Sequence, residues 1–277
     1  MDKENHALEK AKMEYQTGEI IRTDILAGLD AERRSLGVPS ASGDVVVERS
    51  TNGSVCRIVF ASFPPEETDN LIRRELNAAV CGGYSLEWKY YGHDTPIDLP
   101  ERLVAAGFEA EDEEEVLVLP LDEASLAVFG DGGGHEIRIV RKESDLVDYA
   151  EVSREIGRHN VEEERSALAL KLKENPDEMS IHIAYVDGKP VACGRVYFRP
   201  GGPYAELAGG RTKTTHRRRG LFTALVASRL QEARDRGRTH AFVDALPTSA
   251  PILRKHGFQF VTRTQPFMLE QLRERRR

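Results

Sequence analysis

No segment of this chain is apolar over the roughly 20 residues that a membrane-spanning helix needs. With a mean hydropathy of −0.47, the expectation is a chain with no membrane partner. The opening residues, Met1-Asp2-Lys3-Glu4-Asn5-His6, contain neither an apolar core nor a small-residue cleavage site. That reads as no secretion signal and no transit peptide, with the cytoplasm as the expected compartment. Cysteine is scarce. Cys56, Cys81 and Cys193 stand far apart with no C-x-x-C pair and no histidine spacing suited to zinc, so no metal is expected and all three read as small buried hydrophobes. The single tryptophan, Trp88, alternates with Tyr90 along a strand-like run and reads as core.

What is present fits two domains in 277 residues. Net charge is −7, unevenly spread: the chain up to Gly133 has 12 Lys+Arg against 27 Asp+Glu, and the remainder 27 against 19. A basic half inside an acidic protein points to a local anionic ligand rather than to nucleic acid. The charge reverses near Gly132-Gly133-Gly134, which cannot hold a helix or strand, so the boundary is placed there: residues 1–130 and 135–277. Before it the patterns predict a polar helix over 3–35, strands at 44–49, 54–61, 85–91 and 115–119, and helices at 66–80 and 98–106. After it come a strand at 136–141, helices at 143–157 and 161–174, and strands at 179–187, 190–199 and 203–213. A helix at 219–236, a strand at 240–245, a helix at 249–256 and strands at 258–263 and 266–270 complete the order. The class is α/β (α+β) in both halves.

A weak repeat links the halves. Asp94, Leu103, Gly107 and Phe108 recur 150 residues later as Asp244, Leu253, Gly257 and Phe258. Leu-x-x-x-Gly-Phe is also a common helix stop, because glycine supplies the left-handed cap and the next apolar residue returns to the core.

The chemistry concentrates between Tyr204 and Leu230. Arg217-Arg218-Arg219-Gly220 precedes a helix whose Leu221, Phe222, Leu225, Val226 and Leu230 form one apolar face. A glycine at a helix mouth lets a ligand reach N–H groups that lack helical acceptors, and the helix dipole and arginines add positive potential. The pattern suits phosphate.

Here the sequence resembles the GNAT superfamily of acyl-CoA-dependent N-acyltransferases. The family's pyrophosphate loop, Gln/Arg-x-x-Gly-x-Gly/Ala, has its counterpart in Arg217-x-x-Gly220-x-Phe222, with Phe222 departing from the small final residue. The resemblance covers about residues 135–270. It implies two GNAT-like domains, each a mixed, mostly antiparallel sheet flanked by helices, the first a degenerate copy. It also implies acetyl-CoA as cosubstrate: backbone groups of Gly210, Arg211, Thr212 and Lys213 would hold the pantetheine arm, and those of Arg217, Arg218, Arg219, Gly220, Leu221 and Phe222 the pyrophosphate. Glu206, 11 residues before Arg217, matches the position of a general base that takes the amine proton. Where the family commonly carries Asn and Tyr, this chain has Leu246 and Leu253, so Ser249 or Tyr204 would supply a hydroxyl to the leaving thiolate. The implied activity is N-acetyl transfer from acetyl-CoA to a primary amine, on a small molecule or a protein; a homodimer is left open.

At the repeat's displacement the first half carries Phe63-Pro64-Pro65-Glu66-Glu67-Thr68-Asp69-Asn70 instead of a phosphate loop. Proline lacks N–H donors and the acids repel phosphate, so CoA is expected only in the second half. Tandem members of the family likewise pair a degraded half with an active one. Glu109 and Glu111 to Glu115 read as a solvated turn. Two other functions compete: a non-catalytic acyl-CoA-binding regulator, suggested by Leu246 and Leu253, and a nucleic-acid module built on the arginines and the Arg273–Arg277 tail, which lacks any accompanying recognition signature.

Overall fold

The structure, a computed structural model, describes residues 22–40, 43, 45–50, 53–130, 132–140 and 142–270. The expected helix before residue 22 and the arginine tail lie outside the described residues. The chain divides into two compact units, one formed by the residues up to Asp112 together with those from Val261, the other by Glu113–Phe260.

In the first unit, helix α1 (22–35) is followed by strands β1 (Val38–Pro39), β2 (Val45–Arg49) and β3 (Val55–Ala61), helix α2 (Thr68–Gly82), strand β4 (Ser85–Tyr91), helix α3 (Leu99–Ala105) and the short β5 (Glu109–Ala110). The sheet runs β1-β2-β3-β4 and is completed by β12 (Gln259–Leu269), which also carries β5. Only β3 and β4 are parallel. The apolar faces of α2 and α3 close over Ile58, Leu86, Trp88 and Phe267, all buried.

The second unit begins with β6 (Glu114–Pro120), α4 (Glu123–Ala127) and β7 (Glu136–Ile139), then α5 (Leu146–Glu155) and α6 (Val161–Glu174). Strands β8 (Met179–Val186), β9 (Lys189–Phe198) and β10 (Tyr204–Thr212) lead to α7 (Leu221–Asp235), β11 (His240–Ala245) and α8 (Ala250–Lys255). Its sheet order is β6-β11-β10-β9-β8-β7, with β10 and β11 the parallel pair. Residues alternate across the pleat: Val196, Ala205 and Leu207 meet Val226 and Leu230 of α7 on one face, while Ile181, Ile183 and Cys193 meet Tyr149 and Val152 of α5 on the other.

The repeat marks equivalent corners. Gly107 and Gly257 both adopt left-handed backbone (φ 97° and 93°), and the following N–H groups return to the helix, Phe108 to Leu103 O at 3.1 Å and Phe258 to Leu253 O at 3.2 Å.

Several sequence expectations change. The division falls at Asp112/Glu113 instead of the glycine run, because the strand that ends the first half, β6, pairs with β11, while the strand that ends the chain, β12, pairs with β4. Each unit takes its closing strand from the other half of the sequence. The two strands expected at 258–263 and 266–270 are one, since Gln265 and Phe267 stay in register with Tyr90 and Trp88 on either side of Pro266. Cys81 is exposed on the outer face of α2, unlike Cys56 and Cys193. Glu109 is a strand residue in β5 and Glu114 and Glu115 are strand residues in β6, so only residues 111–113 form the exposed connection.

In both units the parallel pair comes apart partway. In the first, pairing ends at Ile58–Trp88 although β3 and β4 run on to Ala61 and Tyr91. Arg33 of α1 bridges the diverging ends: Nε donates to Val59 O at 3.0 Å, Nη1 and Nη2 bind Asp94 at 2.8 and 2.7 Å, and the guanidinium lies 3.9 Å from the Tyr91 ring centroid. Asp94, Asp30 and His93 sit close enough to suggest a cation cluster, but Arg33 also binds Asp30 at 2.7 Å and supplies the cation itself. Burial works to raise the Asp30 pKa, and the hydrogen bond from His93 with the charge of Arg33 holds it below its ordinary value.

Candidate functional site

In the second unit β10 and β11 pair only from Tyr204–His240 to Glu206–Phe242, after which they diverge. The edge of β10 facing the gap is therefore left without a strand partner, and a bulge at Gly209-Gly210 sits where the gap opens. These two glycines are needed for close approach. A Cβ on Gly209 would fall 2.8 Å from the Arg195 guanidinium, and one on Gly210 would fall 3.1 Å from the Phe222 ring.

The loop between β10 and α7 closes one end of the gap. Left-handed backbone at Arg218 (φ 61°) and Gly220 (φ 79°) turns the chain into the helix, a conformation natural for glycine and costly for arginine by about 1–2 kcal/mol. Gly220 gives no side-chain cap, and the first helical bond runs from Ala224 N–H to Gly220 O at 2.9 Å. The N–H groups before it thus have no helical acceptor. No acid lies in the first turn of α7, and Arg217, Arg218 and Arg219 are exposed around its mouth.

A cavity of about 500 Å³ is lined by Gly210, Arg211, Thr212, Arg217, Arg218, Gly220, Leu221, Phe222 and Ser249 among others. A second cavity of about 460 Å³ shares Gly210, Arg211, Phe222 and Ser249 with it and continues along Leu207, Ala208, Val243, Asp244 and Leu253. Together they make one cleft from the glycine-headed helix to the divergence of the strands. Of the residues picked from sequence, the structure brings these lining groups together. Lys213 and Arg219 line neither cavity. Lys213 is instead tied to Glu151 and Glu155 at 2.7 and 2.9 Å, both on α5. The Arg211 side chain is likewise engaged, with Glu164 at 2.7 Å and Ser153 at 2.6 Å, leaving its backbone to face the cleft. Phe222 turns partly toward the core, as expected for a side chain beginning an amphipathic helix, and still lines both cavities.

The hydroxyl and carboxylate candidates separate. Ser249 stands at the junction of the cavities and donates to Leu246 O at 3.2 Å. Tyr204 is buried against the His240 and Phe242 rings and reaches neither cavity, because it opens β10 at the paired end of the strands. Glu206 is also outside both; its Oε2 lies 3.8 Å from Arg199 Nη2, with the side chain 30% exposed. The carboxylates on the cleft wall are Asp244 of β11 and Glu114 of β6, which sequence reasoning treated as a repeat marker and a solvated acid. Arg229 was also missed. It is 2% exposed on α7 and lines the second cavity. Its signal was available: it interrupts the apolar stripe of Leu225, Val226, Leu230 and Ala233, where a solvated arginine has no place.

The acetyltransferase (GNAT) family model matches residues 146–258, the stretch that carries α5 through α8. That stretch is similar to the GNAT family. No protein of curated function matches the chain's sequence. Among solved structures it is similar to a GCN5-related N-acetyltransferase from Kribbella flavida, at 19% identity and a TM-score of 0.62 over 90% of this chain and 93% of the other. It is similar also to a tandem GNAT protein from the clavulanic acid biosynthesis pathway, at 16% identity and a TM-score of 0.58 over 79% and 75%. A third, a conserved protein of unknown function from Staphylococcus epidermidis, gives 14% identity and a TM-score of 0.60 over 79% and 86%. At these identities the likeness establishes the fold, two GNAT-like domains in tandem. The family match supports acyltransferase activity in general. Among the described residues no helix is long and apolar enough to cross a membrane.

Proposed function

We propose that the second unit transfers an acetyl group from acetyl-CoA to a primary amine, of a small molecule or a protein. The observation that carries this reading is the divergence of β10 from β11 directly beside a helix mouth with free N–H groups, flanked by arginines and by no acid. The residues fit the group: N–H donors at Gly220 to Phe222 with Arg217 and Arg218 would hold the pyrophosphate, and the unpaired edge of β10 at Gly210 to Thr212 the pantetheine arm. Acetyl-CoA supplies an activated thioester, and the chain supplies orientation, charge and proton transfer. As the amine nitrogen bonds to the acyl carbon and the C–S bond breaks, negative charge develops on the thioester oxygen, where a backbone N–H near Gly210 would meet it.

The attacking amine must be neutral, so its proton needs an acceptor. Glu206 is the base implied by the family resemblance; Asp244 is favoured as a second reading because it lines the cavity. Ser249, which lines both cavities, would offer its hydroxyl to the departing thiolate. A thiol pKa near 8.5 makes a strong acid unnecessary. We assign CoA to the second unit alone, since Arg33 already bridges the corresponding divergence in the first.

The test is thermal protection by acetyl-CoA, which should amount to roughly 2.7 kcal/mol at a hundredfold excess over Kd. Gly220→Glu places a carboxylate at the phosphate site and should abolish the shift, whatever its effect on the unliganded midpoint. Absence of protection at millimolar acetyl-CoA refutes the reading. Protection without CoA release over a broad amine panel identifies a non-catalytic acyl-CoA-binding regulator instead.

A further inference from the structure

Arg229 is among the largest fully buried side chains in the protein. Its Nε donates to Leu225 O at 2.9 Å, and its Nη1 to Arg195 O at 3.0 Å and Ala208 O at 3.4 Å. All three partners are neutral carbonyls, and among the described residues no carboxylate pairs with it and Nη2 has no partner. That nitrogen lies 4.0 Å from the Cβ position of Gly210, at the bulge where the strands part. Burial lowers the Arg229 pKa to about 10, so the group is still a cation at neutral pH.

A guanidinium buried without a counterion costs several kcal/mol, which bound carbonyls recover only in part. The neighbourhood adds to the deficit. Arg195 covers Gly209 from the opposite face, and its Nε is buried with no acceptor. Glu164, the carboxylate that binds Arg195 at 2.9 Å, is already held bidentately by Arg211 at 2.7 and 2.8 Å. Four arginines and two carboxylates line this cavity. The excess positive charge lies beyond the pyrophosphate loop, at the end of the cleft where acyl transfer would take place, so the phosphates do not account for it.

We propose that the amine acceptor carries a carboxylate, which binds at Arg229. The proposal rests on the acetyl-transfer reading and narrows its substrate class to amino acids and related amino-carboxylates. Binding supplies the missing counterion to a preformed cation, a charge-assisted contact that an ester or amide of the same amine cannot make. The opposite wall carries Asp244, so the cavity offers groups of both signs to a molecule that bears both.

The test pairs each amino acid with its methyl ester and its amide, and measures CoA release from acetyl-CoA at equal concentrations of neutral amine. The free acids should be preferred by about 100-fold in kcat/KM. Arg229→Met, which keeps the bulk and removes the charge, should reduce that preference below about fivefold while acetyl-CoA protection persists. Arg229→Lys should retain part of it. A second readout needs no turnover: in the presence of CoA, N-acetyl amino acids should raise the melting temperature of the wild type more than their methyl esters do, and lose that advantage in Arg229→Met. Equal use of acids and esters overturns the proposal, as does an Arg229→Met variant that lowers both alike. Succinyl-CoA surpassing acetyl-CoA in an Arg229-dependent manner also overturns it, by moving the carboxylate to the donor. If no amine supports release, acetyl transfer itself fails, and the melting comparison still decides whether Arg229 binds a carboxylate.

Discussion

The contact between Arg33 and Asp94 gives a stringent test of why the first unit differs from the second. Both side chains are nearly inaccessible, at 5% and 3%, and they meet through two parallel hydrogen bonds. Asp94 Oδ2 also accepts the Tyr91 N–H at 3.0 Å, which fixes the end of β4. Replacing Arg33 with Met preserves much of the bulk and strands a buried carboxylate, a change that costs about 3–5 kcal/mol. Arg33→Met combined with Asp94→Asn removes both charges, and the pair should recover about 2–3 kcal/mol relative to the sum of the single variants. The chain's only tryptophan, Trp88, is 1% exposed in the core of this unit, so its fluorescence during urea denaturation follows the first unit without contribution from a second indole. A cost below about 1 kcal/mol for Arg33→Met, a value usual for exposed pairs, or strict additivity in the double variant, would show that Arg33 does not pin the diverging strands.

Two further outcomes are measurable. If Glu206 is the base, Glu206→Gln should lower turnover by about 10²- to 10⁴-fold near neutral pH with unchanged acetyl-CoA affinity and partial rescue at higher pH; the same signature in Asp244→Asn alone transfers the role. Burial opposes ionisation of Glu232, but hydrogen bonds from His182, Ser180 and Arg236 bring its pKa from 4.5 to about 2. A depressed carboxylate stabilises the fold above its unfolded pKa and loses that contribution as pH falls through the folded one. The stability advantage of wild type over Glu232→Gln should therefore shrink by about 3 kcal/mol between pH 5 and pH 2, and a pH-independent difference in denaturation midpoints would refute the assignment.

Local signals made the element order and the glycine-headed end of the cleft legible. Gly220 behind three arginines, the apolar face of α7 and the repeated Leu-x-x-x-Gly-Phe corner depend on residues close together in the chain. Burial of Arg33, Arg211 and Arg229 depends on where distant backbone and acids come to lie. Periodicity offers one clue to such residues, a charge set within an apolar stripe, as at Arg229. It does not identify the partner: Glu164, which binds Arg211 and Arg195 on two different strands, looks in sequence like one more acid in the first turn of α6.

Strand pairing was the least legible feature, and it bears on how the second unit can be isolated. Charge reversal and the glycine run place the start of the second half near residue 135, and the family match begins at residue 146. Yet β11, which forms one wall of the cleft, is held on its outer side by six residue pairs with β6, from His240–Pro120 to Ala245–Glu115. Leu117 and Leu119 of β6 are fully buried in the core that also contains Val226, Leu230 and Leu253. A fragment beginning at residue 135 loses the strand and both leucines, each worth about 1.5–3 kcal/mol by burial alone. It also leaves β11 with an open edge, a surface prone to association. A fragment beginning at residue 113 keeps them. With both fragments carried to residue 277, the longer one should give a cooperative melt that acetyl-CoA shifts upward, whereas the shorter should aggregate or melt without cooperativity. Equal folding and equal acetyl-CoA protection in the two would show that the exchanged strand is dispensable to the cleft, and that the glycine run was the functional boundary after all.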